Sequence, residues 1–188
     1  KHHMVPFGEI IPPGFRWFVD IMKIPLGDFE RGPVVAPSFV VAGERIGPNI
    51  CYEDLFGEEL AQRYGPGGDA PTIHANVSNI AWFGNTVAID HHLNISRMRA
   101  LELQRPMVRA TNTGATAAIN HLGEVTAALT RHTRRVLHTT VQGREGLTPY
   151  VRLMVATGGL GTLAWMAMVA VAMLGLSRRG FHAPREGL

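Results

Sequence analysis

Cysteine is almost absent: a single residue, Cys51, stands in 188. One thiol excludes an internal disulfide and leaves the redox compartment unspecified. Basic clusters are missing too. The net charge is +3 and the pI about 9.5, but the lysines and arginines are scattered, which argues against nucleic acid as a partner. The densest group before the tail, Arg131, Arg134 and Arg135, reads as a solvated turn. No internal repeat or low-complexity tract is present. The histidine pairs His2-His3 and His91-His92 have no cysteine or carboxylate cluster to complete a metal site, so neither metal nor cofactor is expected. The sequence opens on Lys1 rather than a methionine, and the chain is expected to be the C-terminal part of a longer protein.

What is present divides sharply. Residues 1–148 alternate short strand and helix patterns with Gly/Pro punctuation, which predicts an α/β or α+β domain. After a linker at 149–152, the 24 residues 153–176 carry no charge. As one helix they would extend about 36 Å, against a hydrocarbon core of about 30 Å, so a single transmembrane helix is expected there. Gly158 and Thr162 offer it a small-residue packing face. Arg178, Arg179 and Arg185 follow the run and Arg144 and Arg152 precede it. That excess makes 177–188 a short basic cytoplasmic tail and puts the domain on the opposite, periplasmic side.

Within the domain, Phe15, Phe18, Val19 and Met22 share one face of a short helix between Pro13 and Pro25. That face suits either a core or a lipid interface. Strands are predicted at 38–42, 45–46, 49–51, 73–77, 108–111, 115–119, 125–129 and 136–141, with a break at Gly47-Pro48. Helices are predicted at 55–64 and 87–104, and a hairpin turn at 120–123. Arg97, Arg99, Glu102 and Arg105 read as a salt-bridged helix face.

Cys51 falls where a strand gives way to a helix. There, unpaired N–H groups favour a thiolate and can bind the oxyanion of a carbonyl under attack. A nucleophile so placed also needs a base and a nearby cation. Lone cysteines are more often buried hydrophobes, so the neighbours decide. Lys1-His2-His3-Met4-Val5-Pro6-Phe7-Gly8-Glu9 and Asn49-Ile50-Cys51-Tyr52-Glu53 resemble the nitrilase (carbon-nitrogen hydrolase) superfamily, and within it the apolipoprotein N-acyltransferase family. Asn76-Val77-Ser78-Asn79, Ala81-Trp82-Phe83-Gly84, Arg97-Met98-Arg99-Ala100-Leu101-Glu102, Arg105-Pro106, Thr111-Asn112-Thr113-Gly114 and Gly146-Leu147-Thr148-Pro149-Tyr150 extend the likeness in order.

The resemblance implies a nitrilase-like αββα sandwich, of which this would be the C-terminal part, and a Glu-Lys-Cys triad. Cys51 would be the nucleophile and Lys1 the oxyanion-stabilising lysine, with Glu9, Tyr52 and Glu53 serving activity around the thiol. The general-base glutamate and the remaining transmembrane helices would precede Lys1. Asn79, Trp82 and Phe83 would contact substrate, in a loop where the family has an acidic residue at the position of Ile80. The implied acyl donor is a membrane phospholipid. The acceptor is the diacylglyceryl-cysteine of an apolipoprotein, at the bacterial inner membrane. Beside these stand plainer readings: Glu9 and Glu53 as surface or helix-start carboxylates, Tyr52 and Trp82-Phe83 as packing. The rival functions are a membrane-anchored amidase or C–N hydrolase, and an inactive piece lacking its base.

Overall fold

The computed structural model describes residues 1–6, 9–17, 21 and 29–180, the side chains of 159, 162 and 176–180 excepted. Six strands form one mixed sheet in chain order: β1 (Phe39–Val41), β2 (Glu44–Ile50), β3 (Ile73–Ser78), β4 (Met107–Thr111), β5 (Ala117–Ile119) and β6 (Val125–Ala128). The central pairs β2–β3 and β3–β4 are parallel, with Asn49 beside Asn76 and Asn76 beside Arg109. The pairs at either end are antiparallel. Because β2, β3 and β4 run the same way, their C-terminal ends open on one edge of the sheet. The loops after Ile50, Ser78 and Thr111 all leave from that edge.

Alternation assigns the two faces. Asn49, His74, Asn76, Ser78, Met107 and Arg109 are buried on one of them, beneath α1 (Gly57–Gln62) and α2 (Ala88–Leu103). Ile46, Pro48, Ile50, Ala75 and Val77 turn to the other face and floor a groove of about 460 Å³. That face is open enough to leave Phe39 62% exposed. The described residues thus build one sheet with helices on one side, half of the expected αββα arrangement, and the second sheet is not among them.

Two strand predictions change. Pro48 does not break β2, which runs through it from Glu44 to Ile50. Its missing N–H costs nothing there, since β1 pairs only with residues 44–46, and its carbonyl accepts from Arg63. Residues 136–141 do not form a strand. After β6 the chain leaves the sheet, and its backbone is tied back to the opposite side, where the Gly143 N–H meets Glu44 and the Arg144 N–H meets the Thr72 carbonyl. Val136 is 75% exposed, so the alternating pattern had no core to face. The 120–123 turn closes the β5–β6 hairpin as predicted, through the Gly123 N–H to the Asn120 carbonyl. The apolar face at 15–22 lies largely outside the described residues.

The C-terminal helix α3 (Pro149–Gly180) is not straight. At Gly158 the backbone takes φ 60°, ψ −162°, a conformation essentially restricted to glycine. The segments Pro149–Gly158 and Leu163–Gly175 meet at 108°. The helix begins at Pro149, so residues 149–152 are its first turn rather than a linker. In the first segment Val151 and Met154 are buried against Leu60, Ala61, Tyr64 and Leu103, each contributing about 1.5–3 kcal/mol. The start of the uncharged run thus packs on the domain through Met154. Among the described residues no single helix is long and apolar enough to cross a membrane; the bent pair passes by length and composition together. The second segment exposes Leu163, Trp165, Met168, Val171 and Met173.

Candidate active site

Strand β2 delivers Cys51 at its end. Ile50 is still extended, at φ −121° and ψ 121°, and Cys51 swings to φ 58°. A non-glycine residue in left-handed backbone is held there only when its surroundings over-determine it. Here they do. The Asn76 amide donates to the Cys51 carbonyl at 2.8 Å and also to Asn49 Oδ1, while Ser78 Oγ donates to Asn76 Oδ1 at 2.6 Å. Cys51 opens a five-residue 3-10 turn, Cys51–Leu55, and only then does α1 begin. The predicted helix at 55–64 is thus a turn followed by a short helix. Arg63 follows α1, and its side chain bonds the carbonyls of Ala36 and Pro48.

The N-terminal segment docks on this turn. Glu53 is the clamp: one oxygen accepts from the His2 N–H at 2.5 Å and the His3 N–H at 3.3 Å, the other from the Ile50 N–H at 2.7 Å. The His3 ring stacks on Phe56 with centroids 3.7 Å apart and meets Glu59 at 2.7 Å. Tyr52 donates its hydroxyl to the Met4 carbonyl. Lys1 Nζ lies 5.2 Å over the Tyr52 ring and meets both oxygens of Glu9 at 2.6 and 2.5 Å. Lys1 is almost buried, with 9% of its side chain exposed. An ammonium ion so enclosed requires the carboxylate beside it.

The charges act on one another. Burial works to raise the Glu9 carboxyl, but hydrogen bonds from Lys1 and the Val5 N–H outweigh it and hold Glu9 below the usual carboxylate range. Burial pushes the Cys51 thiol up. Lys1 and the Tyr52 N–H pull it back, and Glu9 and Asp54 add to the rise. The expectation that strand-to-helix placement favours a thiolate is therefore not met by this arrangement alone. A turn of five residues has little dipole, and desolvation prevails.

Five of the residues singled out in the sequence, Lys1, Glu9, Cys51, Tyr52 and Glu53, form one cluster. Asn79, Trp82 and Phe83 do not touch it by any described contact. They lie along the same edge of the sheet, in the loop after β3, where Asn112 donates to Asn79 Oδ1 at 2.7 Å. Trp82 is 75% exposed, so it is not core. Ile80 is fully buried with Ile89, Ala115 and Leu93, which explains why an apolar residue stands where the family resemblance led us to expect an acid. Five contributors were missed. Asn76 lay within a quoted motif but had no role assigned to it. Asp54, Ser96, His92 and Arg109 form a buried polar group under the turn, scattered over 56 positions of sequence with no spacing to signal it.

A cysteine displayed at the end of a parallel strand, with a lysine–carboxylate pair docked against it, is the arrangement that the nitrilase resemblance implies. The chain belongs to the carbon-nitrogen hydrolase family, whose model matches residues 1–150. Its curated relatives include the apolipoprotein N-acyltransferase of Verminephrobacter eiseniae, 61% identical over 80% of this chain and 29% of the relative, and that of Ralstonia nicotianae, 55% identical over 95% of this chain and 34% of the relative. The chain spans about a third of the length of these relatives. Among solved structures, the carbon-nitrogen hydrolase of Helicobacter pylori G27 shares the fold, with a TM-score of 0.51 at 14% identity over 61% of this chain and 45% of that one.

Proposed function

We propose that this chain carries the nucleophile of an acyltransferase that moves an acyl chain from a membrane phospholipid to the α-amino group of an apolipoprotein's N-terminal diacylglyceryl-cysteine. The observation that carries the reading is Cys51: at φ 58° on the end of β2, within the field of Lys1 and Glu9. The names of relatives up to 61% identical support an acyl transfer to an apolipoprotein; the phospholipid donor comes from the family resemblance.

The thiolate of Cys51 attacks the ester carbonyl. Negative charge gathers on the carbonyl oxygen, where Lys1 supplies the positive charge. The alcohol of the lysophospholipid leaves and takes a proton, and a thioester remains. The acceptor's uncharged amine then attacks the thioester, the C–S bond breaks, the amine's surplus proton passes to the departing sulfur, and an amide and the free Cys51 thiol remain. The base that first removes the thiol proton is, by resemblance, a glutamate preceding Lys1. Glu9 is a poor substitute, since both its oxygens are already engaged by Lys1. Lipid substrates also suit the exposed apolar segment Leu163–Gly175. We assign that segment to the inner membrane, with the domain on the periplasmic side and further helices upstream.

In the intact protein given phospholipid, mass spectrometry is expected to find the acyl mass on the Cys51 peptide and none in Cys51→Ala. An unchanged acylation pattern in Cys51→Ala refutes the assignment. The competing reading, hydrolysis, has the family name in its favour. It predicts fatty acid released at the same rate whether or not an amine acceptor is present.

A further inference from the structure

Beneath the Cys51 turn lies a group of polar side chains that the acyl-transfer steps do not use. Asp54, three residues after the nucleophile in the same turn, is completely buried, and so is the side chain of Arg109. Arg109 NH1 reaches Asp54 Oδ2 at 3.2 Å and the His92 carbonyl at 3.2 Å. It also bonds Ser96 Oγ, and its Nε donates to the Ala115 carbonyl at 3.3 Å. Arg109 NH2 meets His92 Nδ1 at 3.0 Å. Ser96 in turn donates to Asp54. The second carboxylate oxygen, Oδ1, has no partner among the described residues. A charge pair at such depth rarely stabilises a fold more than well-packed apolar residues of the same volume do. Its cost calls for another explanation.

We propose that Asp54 and Arg109 are positioning residues for the nucleophile: a buried charge pair that fastens the Cys51 turn to α2 and β4 and sets the charge seen by the thiol. Three geometric facts converge. The turn belongs to the nucleophile, both partners of its anchor are sealed from water, and the anchor ends on two different elements, through Ser96 and His92 of α2 and Arg109 of β4. The pair also acts on the thiol electrically. Asp54 is one of the two carboxylates that raise Cys51, and Arg109 feels the charge of Cys51 in return. The other groups facing this assembly are Lys1 and Glu9 from the N-terminal segment, Tyr52 and Glu53 from the turn, and Arg99 from α2. His92 is kept neutral by burial beside Arg109.

The proposal rests on Cys51 being the nucleophile, but its test does not need the acyl reaction. Iodoacetamide alkylation of Cys51, followed across pH by mass spectrometry of the Cys51 peptide in the intact protein, reads the thiol directly. Asp54→Asn removes an anion and leaves Arg109 uncompensated. The midpoint of alkylation is expected to move to lower pH by about one unit. The double variant Asp54→Asn/Arg109→Gln removes the cation as well and should recover at least half of that shift, as a coupled pair requires. With phospholipid as donor, kcat for Asp54→Asn should fall about tenfold or more with little change in KM, the mark of a misplaced nucleophile. A folded Asp54→Asn protein with an unmoved midpoint overturns the proposal, and so does a double variant shifted as far as the single one. Should Asp54→Asn fail to fold, the wild type carries the test. Around pH 6, where Asp54 loses its proton, log rate should rise by less than one per pH unit. An unbroken unit slope overturns the proposal. Absence of a thioester alongside the expected shifts would instead remove the acyltransferase reading and leave this one standing.

Discussion

Glu53→Gln tests whether the docking of the N-terminal segment on the nucleophile turn is held by one carboxylate. The wild-type side chain is acceptor-only and meets three N–H groups, those of His2, His3 and Ile50. Glutamine keeps the size and one acceptor oxygen but turns the other position into a donor. It must then face either Ile50, or His2 and His3, donor to donor. If the oxygen stays with the two histidines, the bond at 2.7 Å to Ile50 is lost; if it flips, the bonds at 2.5 and 3.3 Å are lost. Hydrogen bonds to charged groups contribute about 1.5–3 kcal/mol each, and an unpaired N–H adds its own desolvation cost. Partial exposure of Glu53 lowers this, so a loss of about 2 kcal/mol is expected. Equilibrium urea unfolding in detergent micelles gives the stability, and acyl transfer gives the activity. The Glu53 bonds hold the residues next to Lys1, so the acyl-transfer rate should drop by more than the change in folded fraction accounts for. Glu53→Asp should not rescue, because a chain one methylene shorter cannot bridge both partners. A Glu53→Gln protein within about 0.5 kcal/mol of wild type and fully active would show that the clamp is incidental.

Four further expectations are simple to check. Asn76→Ala frees the Cys51 carbonyl and should cost about 1–3 kcal/mol and slow Cys51 acylation, read by the same peptide mass assay. Ile80→Asp puts a carboxylate into an apolar cluster with no partner and should destabilise by about 3 kcal/mol or more, seen as a lowered unfolding midpoint. Gly158→Ala makes the bend cost about 1–3 kcal/mol; spin labels at 153 and 170 should then report a longer separation as the helix straightens. The folded Glu9 carboxyl lies below its unfolded value of 4.5, so its contribution is complete above that value and is lost as pH falls through the lower, folded one. The Lys1–Glu9 tie should hold at pH 5, with amide exchange of Val5 rising only in stronger acid.

The sequence made some of this legible and hid the rest for physical reasons. Strands β3, β4, β5 and β6 were readable because each has an apolar face and punctuated ends. Residues 136–141 carry the same alternation, yet the chain uses them to return across the sheet, and periodicity cannot tell a half-buried strand from a half-buried crossing. Residues 153–158 read as lipid-soluble, but Met154 finds an apolar partner in Leu60 and Leu103. Hydropathy measures aversion to water and is silent about which apolar phase relieves it. Lys1, Glu9 and Cys51 could be grouped because a family resemblance ties them together, not because spacing does.

The buried assembly under the turn shows where such reading stops. Asp54 looks like a second acid in Glu53-Asp54, and Arg109 like a charge inside a strand. Nothing in either position signals that they are paired. The parallel register of β2, β3 and β4 produces that pairing. Setting Asn49 beside Asn76 and Asn76 beside Arg109 puts three polar side chains in a row on the helix-covered face. A row of polar groups in that position must be satisfied or the sheet cannot be covered. Asn76 donates to Asn49 Oδ1 and to the Cys51 carbonyl, while Asn49 Nδ2 finds no partner among the described residues. Arg109, at the end of the row, needs an anion, and the turn that follows Cys51 supplies Asp54. The left-handed cysteine and the buried ion pair are thus two results of one register. A one-residue slip between β3 and β4 would send Arg109 to the open face, remove the partner of Asp54, and release the turn that holds the nucleophile.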